Sequence, residues 1–169
     1  TLSSSSAASD VYKRQIMTSI GDLLGDLGDK LIQNNIKVGD VYMLALDGSN
    51  GITPKNGDNT RDKFFVVLGF DENGDIIGGL VINSKINRNL PDILTDYYLP
   101  ITVKQCPFLL YDSFVNCTNL IRAKRDKFNR NTYRGNINNK SELMKQIIET
   151  VKESPTISRK MLKEFGVIK

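Results

Sequence analysis

Basic and aromatic residues alternate along one stretch of this 169-residue chain, between residues 122 and 134. Lysine and arginine pair with phosphates and aromatic rings stack on unpaired bases, so this alternation is typical of proteins that bind single-stranded nucleic acid. The side chains predicted to make these contacts are Arg122, Lys124, Arg125, Tyr133 and Arg134. The alternative is a solvated basic face without a ligand, because charged residues are mostly exposed in any soluble protein.

The chain contains no histidine and no tryptophan. Catalytic triads with a histidine base, imidazole acid–base chemistry and histidine-ligated zinc are therefore excluded. Cys106 and Cys117 do not form a CxxC pair, so neither a zinc site nor a redox dithiol is predicted. We expect two buried, reduced thiols in a cytoplasmic protein, with no metal and no cofactor.

Charge is distributed unevenly along the chain. Residues 1–103 carry 9 Lys and Arg against 13 Asp and Glu, whereas residues 104–169 carry 14 against 6. A basic half of this kind indicates a polyanion or an acidic protein as the partner, and it does not decide between them.

The amino-terminal residues divide into two parts. Residues 1–16 resemble translated sequencing-adapter sequence and lack the pattern of a secretory signal. We expect them to be disordered, with the true start nearer Met17. Apolar residues then recur at helical spacing from Thr18 to Asn35, which predicts an amino-terminal helix within residues 17–36.

After Gly39 the pattern changes to short strands with turn residues between them. No apolar run approaches the ~20 residues of a membrane span. Ser141 is placed to cap an amphipathic helix. The pattern predicts a mainly β fold, a small antiparallel barrel with helices packed on it. The predicted strands are residues 40–46, 63–70, 76–82, 97–103 and 113–122, and the predicted helices are residues 140–152 and 158–165.

Several features occur in an order that resembles the MazF/PemK/Kid toxin family. They are a Gly39-Asp-Val-Tyr42 opening, a polar loop that ends at Arg61, a strand rich in valine and phenylalanine, and an Asn83-Ser84 pair after the next strand. Residues 113–122, 128–137 and the helix after them match the closing part of that family. The resemblance covers about residues 38–153.

The resemblance implies an SH3-like β-barrel over residues 37–153. Residues 154–169, which lie beyond the resemblance, are expected to form a helical tail. The resemblance also implies a cytoplasmic homodimer that cleaves single-stranded RNA without a metal and is inhibited by an acidic antitoxin. In this role Arg61 stabilises the charge that develops on the phosphorane, and the Ser84 hydroxyl positions the phosphate or transfers a proton. Lys63, Lys85 and Arg88 are the phosphate contacts predicted near them.

The chain also departs from the family pattern, because Asp62 and Lys63 follow Arg61 where the family has proline. Asp62 is expected to weaken the field of Arg61 if the two side chains pair. The alternative function is therefore an inactive barrel that binds a protein, such as a topoisomerase, or nucleic acid. A structural protein of a mobile element is a third reading that the sequence leaves open.

Overall fold

The computed structural model describes residues 24–169. The expectations for residues 1–16, and for the first turns of the amino-terminal helix, lie outside the described residues. Within the described range, residues 24–34 form helix α1. This agrees with the predicted helical periodicity.

Seven strands form one antiparallel sheet in the order β4-β5-β3-β2-β1-β7, and β6 pairs with β3 outside this path. Every strand pairing among the described residues is antiparallel, so the predicted antiparallel arrangement is confirmed. The strands are β1 (Asp40–Leu46), β2 (Arg61–Phe70), β3 (Ile76–Asn83), β4 (Tyr98–Ile101), β5 (Ser113–Asn116), β6 (Ile121–Lys124) and β7 (Tyr133–Asn136).

The prediction of a single strand over residues 113–122 is wrong. A turn divides it into β5, which pairs with the end of β3, and β6, which pairs with the beginning of β3. Two further elements were not predicted, namely β7 and the short helix α2 (Asp92–Thr95). Each is only four residues long, too short for a repeating apolar pattern to show in the sequence.

The sheet is not a closed barrel in the described part of the chain, because its end strands β4 and β7 do not pair with each other. Helices α3 (Glu142–Glu153) and α4 (Arg159–Glu164) bury one face of the sheet in place of an opposing strand layer. Over residues 24–169 the fold is therefore a mixed α/β arrangement of one antiparallel sheet and four α-helices rather than a mainly β fold.

Alternating residues of the central strands enter two apolar clusters, as the two-residue period of a strand requires. Val41, Val66 and Leu80 pack with the α3 residue Ile147 in the first cluster. The second cluster lies on the opposite face. Its members include Tyr42, Leu44, Phe65, Val67, Ile121 and Phe128.

Local signals fix the two carboxy-terminal helices. The predicted Ser141 cap of α3 is confirmed, because its side chain accepts a hydrogen bond from the Met144 amide at 3.2 Å. After α4, the Phe165 ring lies directly on the β2–β3 ribbon. A Cβ atom at Gly78 would lie 2.5 Å from that ring, so only glycine permits this close approach.

Candidate functional site

Arg61 and Ser84 lie at the same end of the sheet. Arg61 is the first residue of β2, and Ser84 directly follows the last residue of β3. The start of one strand and the end of its antiparallel neighbour are adjacent, and the register confirms this by pairing Phe64 with Ile82. The hairpin therefore brings Arg61 and Ser84 to the same end of the sheet, although the whole of β2 and β3 lies between them in the sequence.

A cationic groove of about 560 Å³ opens beside this pair. It contains four basic side chains, and no Asp or Glu is among the described residues that line it. None of the four forms an ion pair within residues 24–169. Such a groove is suited to a bound anion. The lining residues are Lys55, Arg61, Lys63, Asn83, Ser84, Lys85, Ile86, Asn87 and Tyr98.

A second groove of about 270 Å³ lies beside the first and is named here the tyrosine groove. Its wall includes Leu109, Leu110 and Tyr111 together with Met43 and Phe64. Leu110 and Tyr111 are 86% and 57% exposed, which is unusual for large apolar side chains. An open aromatic ring beside a cationic groove provides a stacking surface for a nucleobase.

Three residues line both grooves, namely Arg61, Lys63 and Ser84. They form a saddle between the two spaces, and this set is called the saddle below. A ligand that fills both grooves therefore lies against these three side chains. The saddle thus combines a guanidinium fork, an ammonium group and a hydroxyl at one point.

Asp62 lines the tyrosine groove and is exposed. It forms no ion pair with Arg61 among the described residues. The expected weakening of Arg61 by a direct contact with Asp62 is therefore not found.

Lys63 is the saddle residue whose side chain is held by a hydrogen bond to a neighbouring side chain. Its Nζ atom donates a hydrogen bond to Oδ1 of Asn83 at 2.6 Å, and the side chain is half-buried. Burial, together with the positive charges of Arg61 and Lys55, lowers the pKa of Lys63 to about 8. Each of these causes disfavours the charged form of an amine.

Of the predicted phosphate contacts around the saddle, Lys63 and Lys85 line the cationic groove. Arg88 is exposed in the loop after β3 and lines neither groove.

The other predicted contacts form a separate group, called the basic strip, that lines neither groove. Arg122 forms an ion pair with Glu164 at 2.7 Å and lies over the Phe165 ring. Arg125 donates hydrogen bonds to the carbonyl oxygens of Gly74 and Gln33, and it lies over the Phe70 ring. Both guanidinium groups thus already have partners within the protein. The members of the strip are Arg122, Lys124, Arg125, Tyr133 and Arg134.

The remaining members of the strip differ in their surroundings. Lys124 is exposed. The Tyr133 ring packs edge-on against Tyr42 at 5.4 Å, and burial followed by the charge of Asp40 raises its pKa. Arg134 is exposed and donates to the nearby backbone carbonyls of Asn131 and Tyr133.

The groove-lining residues that sequence reasoning missed include Lys55, Asn83, Leu110 and Tyr111. Lys55 lies in a polar loop without a motif, and Asn83 was noted only as the neighbour of Ser84. Leu110 and Tyr111 end an apolar run that indicates a buried segment. No pattern in the sequence indicates that these two side chains are exposed.

Both cysteines are free and buried, as predicted. Burial raises the pKa of the Cys106 thiol and raises that of Cys117 to about 12. Within residues 24–169, no three His, Cys, Asp or Glu side chains are grouped so as to hold a metal ion. No helix in the same range is long and apolar enough to span a membrane. The sequence matches no family model and no curated protein.

Proposed function

We propose that this protein is a MazF/PemK-like endoribonuclease that cleaves single-stranded RNA without a metal. The observation that carries this proposal is the saddle, where Arg61, Lys63 and Ser84 line both the cationic groove and the tyrosine groove. Phosphates fit the first groove by charge, and a base fits the second by stacking on Tyr111. The scissile phosphate then lies on the saddle.

The chemistry at this point needs no histidine. When a ribose 2′-hydroxyl attacks the adjacent phosphate, negative charge accumulates on the phosphorane oxygens. The Arg61 guanidinium binds two such oxygens at once, and a fixed fork of donors stabilises this charge without reorganisation. The Ser84 hydroxyl donates a hydrogen bond that orients the phosphate.

The sheet supports a distant relationship to the SH3-like barrel. The β2–β3 pairing contains an irregularity between Val67 and Gly69, and bulges of this kind bend strands in barrels. The long β3 also pairs with β5 at one end and with β6 at the other, so one strand has two successive partners along its length. We infer an opened version of that barrel. Homodimer formation, an acidic antitoxin and a cytoplasmic location remain predictions of the resemblance.

The test is to incubate the purified protein with a long single-stranded RNA in the presence of EDTA. We expect discrete products with 2′,3′-cyclic phosphate and 5′-hydroxyl ends, because the 2′-hydroxyl is the nucleophile. Ser84→Thr retains the hydroxyl and is expected to cleave, whereas Ser84→Ala is impaired. RNA that is bound with no cleavage by the wild type would favour the inactive binding module instead, and abolition by EDTA would contradict the metal-independent mechanism.

A further inference from the structure

The proposed cleavage releases a ribose 5′-oxygen, which is a poor leaving group unless it receives a proton. The three side chains of the saddle differ in their ability to supply one. Arginine does not lose its proton at physiological pH, and a serine hydroxyl is a weak acid. A lysine ammonium is the remaining donor, and lysine side chains act in this way when their surroundings disfavour the charge.

The geometry around Lys63 suits a proton donor. Asn83 holds the ammonium through one hydrogen bond of 2.6 Å, and Asn83 is a neutral acceptor that forms no ion pair with it. An ammonium group has three N–H donors, so two remain for the substrate. Lys63 also follows Arg61 by two positions on β2, which places both side chains on the same face of the strand.

Charged and titratable groups face Lys63 from several elements. Those from the same strand, the preceding loop and the segment after β3 are basic, and they favour loss of the proton. The buried phenol of Tyr98 comes from β4, and Asp62 is the acid among the described residues that line the adjoining groove. These groups are Arg61, Lys55, Lys85, Tyr98 and Asp62.

We propose that Lys63 is the general acid of the ribonuclease reaction. This inference rests on the proposed function. The bond between the 2′-oxygen and phosphorus forms, and the 2′-hydroxyl gives its proton to solvent hydroxide. The bond between phosphorus and the 5′-oxygen breaks, and the 5′-oxygen takes a proton from Nζ of Lys63. The neutral amine then regains a proton from water, which restores the hydroxide.

The decisive experiment compares two RNA substrates that differ only in the leaving atom. One has the normal 5′-oxygen at the cleavage site, and the other has sulfur in its place. A thiolate leaves without a proton, because thiols have a pKa of about 8.5. We expect Lys63→Met to reduce cleavage of the oxygen substrate by about 10²-fold or more and to cleave the sulfur substrate at the wild-type rate.

Arg61→Ala is the matched control, because its loss should persist with both substrates. Circular dichroism and thermal unfolding of each variant show whether the fold is retained. If Lys63→Met is equally slow with both substrates, Lys63 binds or positions the RNA and the inference is wrong. If the wild type cleaves neither substrate, the proposed function and this inference both fail.

The pH profile gives a second readout. Wild-type cleavage of the oxygen substrate should rise with pH and level off near pH 8, because the gain in hydroxide is then offset by loss of the Lys63 proton. Lys63→Arg cannot lose its proton, so its slower cleavage should continue to rise through this range. A wild-type profile without this levelling would contradict the role of Lys63.

Discussion

The cationic groove and the basic strip are built from the same residue types, but their charges are used differently. In the groove, Lys55, Arg61 and Lys85 form no ion pair within residues 24–169. In the strip, Arg122 pairs with Glu164 and Arg125 bonds to two backbone carbonyls. The density of basic residues along the sequence therefore does not locate the candidate site.

This contrast indicates that a cation is available to bind an anionic ligand only when it has no partner within the protein. A guanidinium that binds carbonyls, a carboxylate or a ring contributes to the stability of the fold. A cation without such a partner, beside others of the same sign, raises the positive potential of a groove and attracts anions. The groove also lies in the half of the chain that is acidic overall. Net charge by segment consequently points away from this groove.

The largest effect is expected at Arg61. Arg61→Ala should reduce cleavage by about 10²–10³-fold, because one fixed donor to the developing charge is lost. Arg61→Lys should be similarly impaired, since a point charge does not reproduce the bidentate fork. Single-turnover cleavage rates measure both variants. Arg159→Ala, an exposed arginine at the start of α4, is the control and should be unchanged. Full activity of Arg61→Ala would refute the mechanism.

The next largest effect is on stability, at Arg125. Arg125→Ala removes the hydrogen bonds to Gly74 and Gln33, and we expect the free energy of unfolding to fall by about 2 kcal/mol. Urea denaturation measures the change. The adjacent Lys124→Ala is the matched control and should alter stability by less than about 0.5 kcal/mol. If Arg125→Ala weakened RNA binding while leaving stability intact, the strip would be a binding surface after all.

A smaller effect is expected from Asn83→Asp. This change places a carboxylate beside the Lys63 ammonium and gives one groove cation the kind of partner that the strip has. We expect RNA affinity to fall by about tenfold, or about 1.4 kcal/mol, from the added negative charge and the neutralised lysine. Filter binding at fixed salt concentration measures it. Asn83→Ser is the neutral control, and equal binding by the two variants would count against charge as the cause.

The smallest effect concerns the pH dependence of stability. The pKa of Lys63 is about 8 in the folded protein against 10.5 for the free side chain. Between these values the unfolded chain binds more protons, so the contribution of Lys63 to stability should rise with pH. The difference in unfolding free energy between wild type and Lys63→Met should therefore shift in favour of the wild type across this interval. A constant difference would mean that the lysine is not perturbed.

Local features were predictable from the sequence, because they depend on near neighbours. Strand β1 and the Ser141 cap each follow from a short pattern of residues. That Arg61 and Ser84 lie near each other was predictable from the family resemblance, and the β2–β3 hairpin accounts for it. These are the parts of the site that a single hairpin determines.

Long-range partners were not predictable. Arg122 meets Glu164 from 42 residues away, and Arg125 meets Gln33 from 92 residues away. No short pattern in the sequence shows that these two arginines are occupied. The open sheet depends likewise on α3 and α4 covering one face, which only the packed structure reveals.

The two buried thiols provide a chemically silent background for labelling. Cysteine reacts through its thiolate, and burial with a raised pKa keeps Cys106 and Cys117 protonated and shielded. The chain also contains no tryptophan. A single cysteine introduced at Lys85, or a tryptophan at Tyr111, would thus report on one groove alone in the otherwise unaltered protein.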